Sequence, residues 1–126
     1  MRILKTKLFH RWAKKNQLTN DILVKAVHEI EQGLVEADLG GNVYKKRVAT
    51  KGKGKSGGVR TLLAYQVQTK VFFLYAFEKK QRGNISEKET KALKTLGDYL
   101  LTLTNRQINE KIENGSLFEV DQKAER

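Results

Sequence analysis

The sequence predicts an α+β protein: one antiparallel sheet packed against an N-terminal helical hairpin and C-terminal helices. Three observations carry that prediction. The middle of the chain holds segments of strand character beginning at Val43, Val59 and Val71, rich in β-branched and aromatic residues and separated by turn-formers. Both ends instead space their apolar residues three and four apart, as helices do. Strands grouped together and flanked by helices, rather than alternating with them, define the α+β class. A length of 126 residues suits one hydrophobic core, so a single domain over residues 1–120 is expected, with residues 121–126 a frayed tail.

Arg2-Ile3-Leu4-Lys5-Thr6 partly alternates and is too short for a stable helix, which makes it a first strand, expected at a sheet edge. From Leu8 to Asn16, Leu8, Phe9, Trp12 and Ala13 share one helical face, while His10, Arg11, Lys14 and Lys15 lie elsewhere. Thr19 or Asn20 can cap a second helix, whose stripe of Ile22, Leu23, Ala26, Val27 and Ile30 ends at Gly33. Gly40-Gly41-Asn42 marks a turn into the Val43 strand, and Gln68-Thr69-Lys70 joins the Val59 and Val71 strands as a hairpin. Val71 to Phe77 is apolar on both faces and should lie centrally in the sheet. Ser86-Glu87-Lys88-Glu89 fits a capping box, and the helix behind it shows an apolar face of Ala92, Leu93, Leu96 and Leu100, running to about Thr102. Asn105 to Glu113 forms a last helix stopped by Asn114-Gly115, and Ser116 to Val120 extends briefly.

Charge narrows the function. Lys and Arg number 25 against 14 Asp and Glu, a net charge of +11, which calls for a polyanionic partner, nucleic acid ahead of a membrane surface. No apolar run approaches the ~20 residues that span a bilayer, and Met1 to Leu8 lacks the apolar region of a signal peptide, so a cytoplasmic protein is expected. The chain has no cysteine. Thiolate chemistry and Cys-based zinc sites are thereby excluded, and His10 and His28, without an acidic partner at ligand spacing, are assigned to packing or surface. Neither metal nor cofactor is expected.

The positive charge concentrates between Val43 and Arg60. Alternation puts Tyr44 and Val48 on one side of the strand, Lys45 and Arg47 on the other, with Lys46 between them. The loop Lys51-Gly52-Lys53-Gly54-Lys55-Ser56-Gly57-Gly58 follows, and Arg60 begins the next strand. Gly54-Lys55-Ser56 imitates the end of a phosphate-binding P-loop, but Ala49 stands where its first glycine belongs and a strand, not a helix, follows. Taken alone, the loop suits a solvated hairpin. Lys45, Arg47 and Arg60 on its borders change the balance, because so many like charges in one place are unfavourable unless a polyanion binds there.

Three segments carry a resemblance to a known family. They are Gly41-Asn42-Val43-Tyr44-Lys45-Lys46-Arg47-Val48-Ala49, Gly52-Lys53-Gly54-Lys55-Ser56-Gly57-Gly58-Val59-Arg60-Thr61, and Phe72-Phe73-Leu74-Tyr75-Ala76-Phe77-Glu78-Lys79-Lys80 with Asn84-Ile85-Ser86 beyond. Together they resemble the RelE/ParE superfamily of type II toxin–antitoxin toxins, especially its phage-associated RelE-like and HigB-like branch. The resemblance implies a microbial-ribonuclease-like fold, cleavage of mRNA on the ribosome, and neutralisation by an antitoxin, a small helix-turn-helix protein in the expected case.

It further implies Lys45, Arg47, Arg60 and Lys80 as catalytic residues, and the surrounding positive charge makes Lys46, Lys51, Lys53, Lys55, Lys79 and Arg82 the expected RNA contacts. Arg47 and Arg60 suit the phosphate, since a planar guanidinium offers paired N–H donors, and Arg60 is expected to face solvent. Lysines crowded by other cations give up a proton more readily, which makes Lys45 and Lys80 the candidates for acid or base. The family has an arginine where Lys80 stands, and its following tyrosine falls near Ser86, so the sequence names no general base. Tyr65 and Tyr75 lie in apolar strands and are assigned to the core. Two other functions fit the same charge: a ParE-like poison of DNA gyrase, and a basic module that binds nucleic acid without cutting it.

Overall fold

A computed structural model describes residues 1–49 and 58–122. Lys51, Lys53 and Lys55, and the last four residues of the chain, lie outside the described residues. The chain forms β1 (Arg2–Thr6), α1 (Lys7–Lys15), α2 (Asn20–Glu31), β2 (Ala37–Gly40), β3 (Val43–Val48), β4 (Val59–Gln66), β5 (Lys70–Glu78), α3 (Glu87–Leu101), α4 (Asn105–Glu113) and β6 (Leu117–Glu119). The six strands make one sheet in the order β2-β3-β4-β5-β1-β6. The Val43, Val59 and Val71 strands are antiparallel neighbours, the last two joined by the short turn that such pairing allows.

Two parts of the sheet differ from expectation. β1 is not an edge: it runs parallel to β5 and is covered on its other side by antiparallel β6. Its buried Ile3 and Leu4 explain this, because a strand apolar on both faces belongs inside a sheet. β2, an additional strand, pairs with β3 through the turn at Gly40, Gly41 and Asn42, all three of which have positive φ. Glycine, and asparagine next to it, tolerate that conformation where other residues strain.

The helices begin where their caps place them. Thr6 accepts a hydrogen bond from the Phe9 N–H, Thr19 from Ile22, and Ser86 and Thr104 form capping boxes with Glu89 and Gln107. α1 and α2 cover one side of the sheet, burying Phe9, Leu23, Val27 and Ile30 against Leu63, Val71 and Phe73; the Phe9 and Phe73 rings stack at 5.0 Å. The other side packs Val43, Ala64, Phe72 and Leu74 against Leu100, Leu103 and Ile108. Each fully buried side chain of this size contributes ~1.5–3 kcal/mol, so the two layers together fix the sheet. On α3 the buried residues are Gly97 and Leu100, whereas Ala92 and Leu96 are exposed. Gly97 sets this rotation, because only a residue without Cβ lets the helix approach Val43 and Ala64 so closely.

Candidate functional site

The β3–β4 ladder pairs Lys45 with Leu62, Lys46 with Thr61 and Arg47 with Arg60, and β5 continues the rows with Phe77 beside Arg60 and Tyr75 beside Leu62. A register shift opposite Leu62 and Leu63 leaves Leu74 out of the pairing, a β-bulge that resets which side Tyr75 occupies. Glu78 pairs with Val59, so the turn carrying Lys79 and Lys80 leaves the sheet at the end where Arg47 and Arg60 lie. Sequence neighbours thus supply two of the strands, and the β4–β5 hairpin brings the third.

The cations so collected do not share one environment. Arg47, Lys79 and Lys80 are exposed and Lys45 is half-buried. Arg47 also lines a cleft of about 630 Å³ with Thr19, Ile22, Lys25 and Glu29 of the α2 side. Lys46, expected to contact RNA, is buried instead, its ammonium 2.8 Å from the Glu29 carboxylate. Strand alternation turns it toward the helical hairpin, where an unpaired ammonium would be costly. Arg60, expected to face solvent, is 4% exposed; its Nε lies 2.9 Å from Glu36 Oε1, while its Nη1 is buried without a hydrogen-bond partner among the described residues. No local signal marks Glu36, which lies 24 positions away in the α2–β2 link.

Asn84 and Glu89 complete the arrangement. The Lys45 ammonium donates to Asn84 Oδ1 at 3.2 Å, and the Asn84 carbonyl accepts from Arg82 Nε at 3.1 Å. Arg82, half-buried, donates through both terminal nitrogens to Glu89 at 2.9 and 2.6 Å, and its guanidinium lies 5.7 Å over the Phe77 ring. Hydrogen bonding to Arg82 holds the Glu89 carboxyl down at about 2, and the same contact raises the arginine. Arg82 therefore fixes the 79–86 connection onto α3 rather than standing free. The Tyr75 hydroxyl accepts from Arg82 at 3.4 Å; Tyr65 packs edge-on against Tyr44 at 6.2 Å, and burial raises its phenol.

Of the two histidines, His10 stacks on Phe118 with ring centroids 3.7 Å apart, and burial lowers its imidazole below the usual range. Among the described residues no group of three His, Asp or Glu side chains could hold a metal ion, and no helix is long and apolar enough to cross a membrane.

Fold and site together define a class: a small basic α+β protein that gathers cations from two paired strands and the turn after a third at one end of its sheet. Over residues 1–120 the sequence matches the family described as the RelE toxin of the RelE / RelB toxin-antitoxin system, and the chain belongs to that family. It is a toxin-antitoxin toxin, and membership implies a cognate antitoxin as its partner. No curated protein matches the sequence.

Proposed function

We propose that this toxin arrests translation by cutting mRNA on the ribosome in the cytoplasm, and that its antitoxin, a small helix-turn-helix protein, silences it by covering the cationic end of the sheet. The observation that carries the reading is the convergence of Lys45, Arg47 and Arg60 on paired strands beside the turn of Lys79 and Lys80. In the proposed reaction a ribose 2′-oxygen attacks the adjacent phosphorus as its proton leaves to a base. The bond to the 5′-oxygen breaks as that oxygen takes a proton, and a 2′,3′-cyclic phosphate remains. Charge grows on the phosphorane oxygens, and preorganised N–H donors there lower the barrier.

Arg47 is the exposed donor suited to those oxygens. Arg60, held by Glu36, adds fixed positive charge behind it and an unclaimed Nη1. Lys45, oriented by Asn84, and exposed Lys80 are the candidates for moving protons. Lys79 and the loop lysines 51, 53 and 55 hold the backbone; Lys46 is reassigned to anchoring α2.

Primer extension on a reporter mRNA after induction tests the reading. Discrete new 5′ ends within translated codons are expected, absent when translation initiation is blocked. Growth arrest with intact mRNA and gyrase trapped on cleaved DNA would replace it with the gyrase-poison function.

A further inference from the structure

A cleft of about 330 Å³ opens beside the cations, lined by Leu8 and Trp12 of α1, Tyr75 and Phe77 of β5, and Gln81 and Arg82 beyond it. It exists because β1 stops short: the β1–β5 register ends at Lys5 opposite Phe73, so the last residues of β5 have no strand on that side among the described residues. We infer that this cleft receives an unpaired nucleobase of the RNA whose backbone lies on the neighbouring cations; the inference rests on the RNA-cutting function proposed above.

Five features select that occupant. The volume falls within the ~300–1,000 Å³ typical of small-molecule clefts. Trp12, Tyr75 and Phe77 put aromatic rings in its lining, and single-stranded RNA is held by stacking bases on aromatic rings while cations track the backbone. Leu8 remains 56% exposed and Trp12 half-buried, an apolar surface that solvent does not favour. The cleft is also continuous with the candidate site: Lys45 reaches Asn84, Asn84 reaches Arg82, and Arg82 lies over Phe77. Phe77 is one strand from Arg60 and two from Arg47, at ~4.8 Å per strand, a span one nucleotide bridges from phosphate to base. Exposed Gln81 offers both donor and acceptor to the base edge.

Trp12 is the protein's single tryptophan, so its emission reports on this cleft in the unmodified chain. The full-length protein is titrated at low salt with an end-labelled RNA hexanucleotide and with the same sugar-phosphate backbone lacking bases, reading Trp12 emission and label anisotropy. Both probes are expected to bind by anisotropy, but only the RNA to quench Trp12, with midpoints that agree. Trp12→Leu should weaken RNA binding roughly ten-fold, the loss of one stacked base, and leave the base-free backbone unaffected. Leu8→Ala, at an exposed position that folding does not need, should weaken RNA several-fold with the same selectivity. RNA that binds without changing Trp12 emission, equal quenching by the base-free backbone, or equal losses for both probes in the variants would overturn the inference while leaving the RNA function standing. Absence of binding by either probe would overturn the inference, whereas the RNA function itself falls only if primer extension finds no new 5′ ends.

Discussion

Replacing Arg60 separates two roles that the fold has joined. Its guanidinium is 4% exposed and paired at 2.9 Å with Glu36, whose side chain keeps 25% of its exposure. Breaking a fully buried pair by removing one partner costs ~3–5 kcal/mol. Here water can still reach the orphaned carboxylate, so Arg60→Ala should lose ~1–3 kcal/mol. At roughly 4 °C per kcal/mol for a domain of this size, the melting temperature falls by about 4–12 °C. Glu36→Ala should cost a similar amount, and the double variant less than the two losses together, a coupling of at least ~1 kcal/mol. Activity is then compared below the melting range of every variant: loss of a preorganised donor should lower mRNA cleavage by ~10²–10³, and Arg60→Lys, which keeps charge but not the fork, should restore part of it. Arg106→Ala, at a side chain 90% exposed on α4, serves as control. If Arg60→Ala melts within a degree of the unaltered protein, the ion-pair argument fails. Full cleavage by the folded Arg60→Ala protein would show that Arg60 only holds the structure.

Arg47→Ala should behave oppositely, since the side chain is exposed: stability within ~0.5 kcal/mol of the unaltered protein by chemical denaturation, yet cleavage reduced ~10²-fold or more. Gly97→Ala places a Cβ 2.9 Å from Val43 Cγ2 and 3.2 Å from Ala64 Cβ, and overpacking of this kind should cost ~1–3 kcal/mol in thermal melts. Glu89, held at about 2 by Arg82 against an ordinary 4.5, stabilises the fold when ionised; that contribution is complete above pH 4.5 and is lost as pH falls toward 2. The stability gap between the unaltered protein and Glu89→Gln should therefore be widest at neutral pH and close between pH 4.5 and 2 in denaturant titrations; a gap that does not change with pH would count against the pairing.

Much of the fold was legible because local chemistry and tertiary structure agree. The capping box at Ser86, a cap at Thr19 or Asn20 that the structure resolves to Thr19, the Gly40–Asn42 turn and the doubly apolar β5 are each legible in a few adjacent residues, and burial then places them. What could not be read depends on partners distant in sequence. β1 is interior because β6, more than a hundred residues later, pairs with it; α3 turns on Gly97 rather than Leu96 because of Val43 and Ala64. The same limit applies at the site. Charge density and alternation pointed to Lys45, Arg47 and Arg60, but nothing near Arg60 or Lys46 revealed that Glu36 and Glu29 would hold them.

Those two ion pairs bear on how a chain of net charge +11 folds before any polyanion arrives. Like charges on paired strands repel, and a sheet carrying Lys45, Lys46, Arg47 and Arg60 unpaired would concentrate that repulsion in one ladder. Strand alternation sends Lys46 to α2, where Glu29 neutralises it, and Glu36 at the entrance to β2 neutralises Arg60. Both carboxylates come from the helical hairpin and the link after it, so the pairs also tie that unit to the strands. Arg47, Lys79 and Lys80 stay exposed at the end of the sheet, with Lys45 tethered to a neutral amide rather than a carboxylate. Internal pairing thus removes the part of the repulsion that would oppose folding and leaves the part that a bound polyanion relieves. A ligand that binds only the folded state stabilises it by mass action, so under the proposed function an RNA strand and an acidic antitoxin surface compete for the same residual charge.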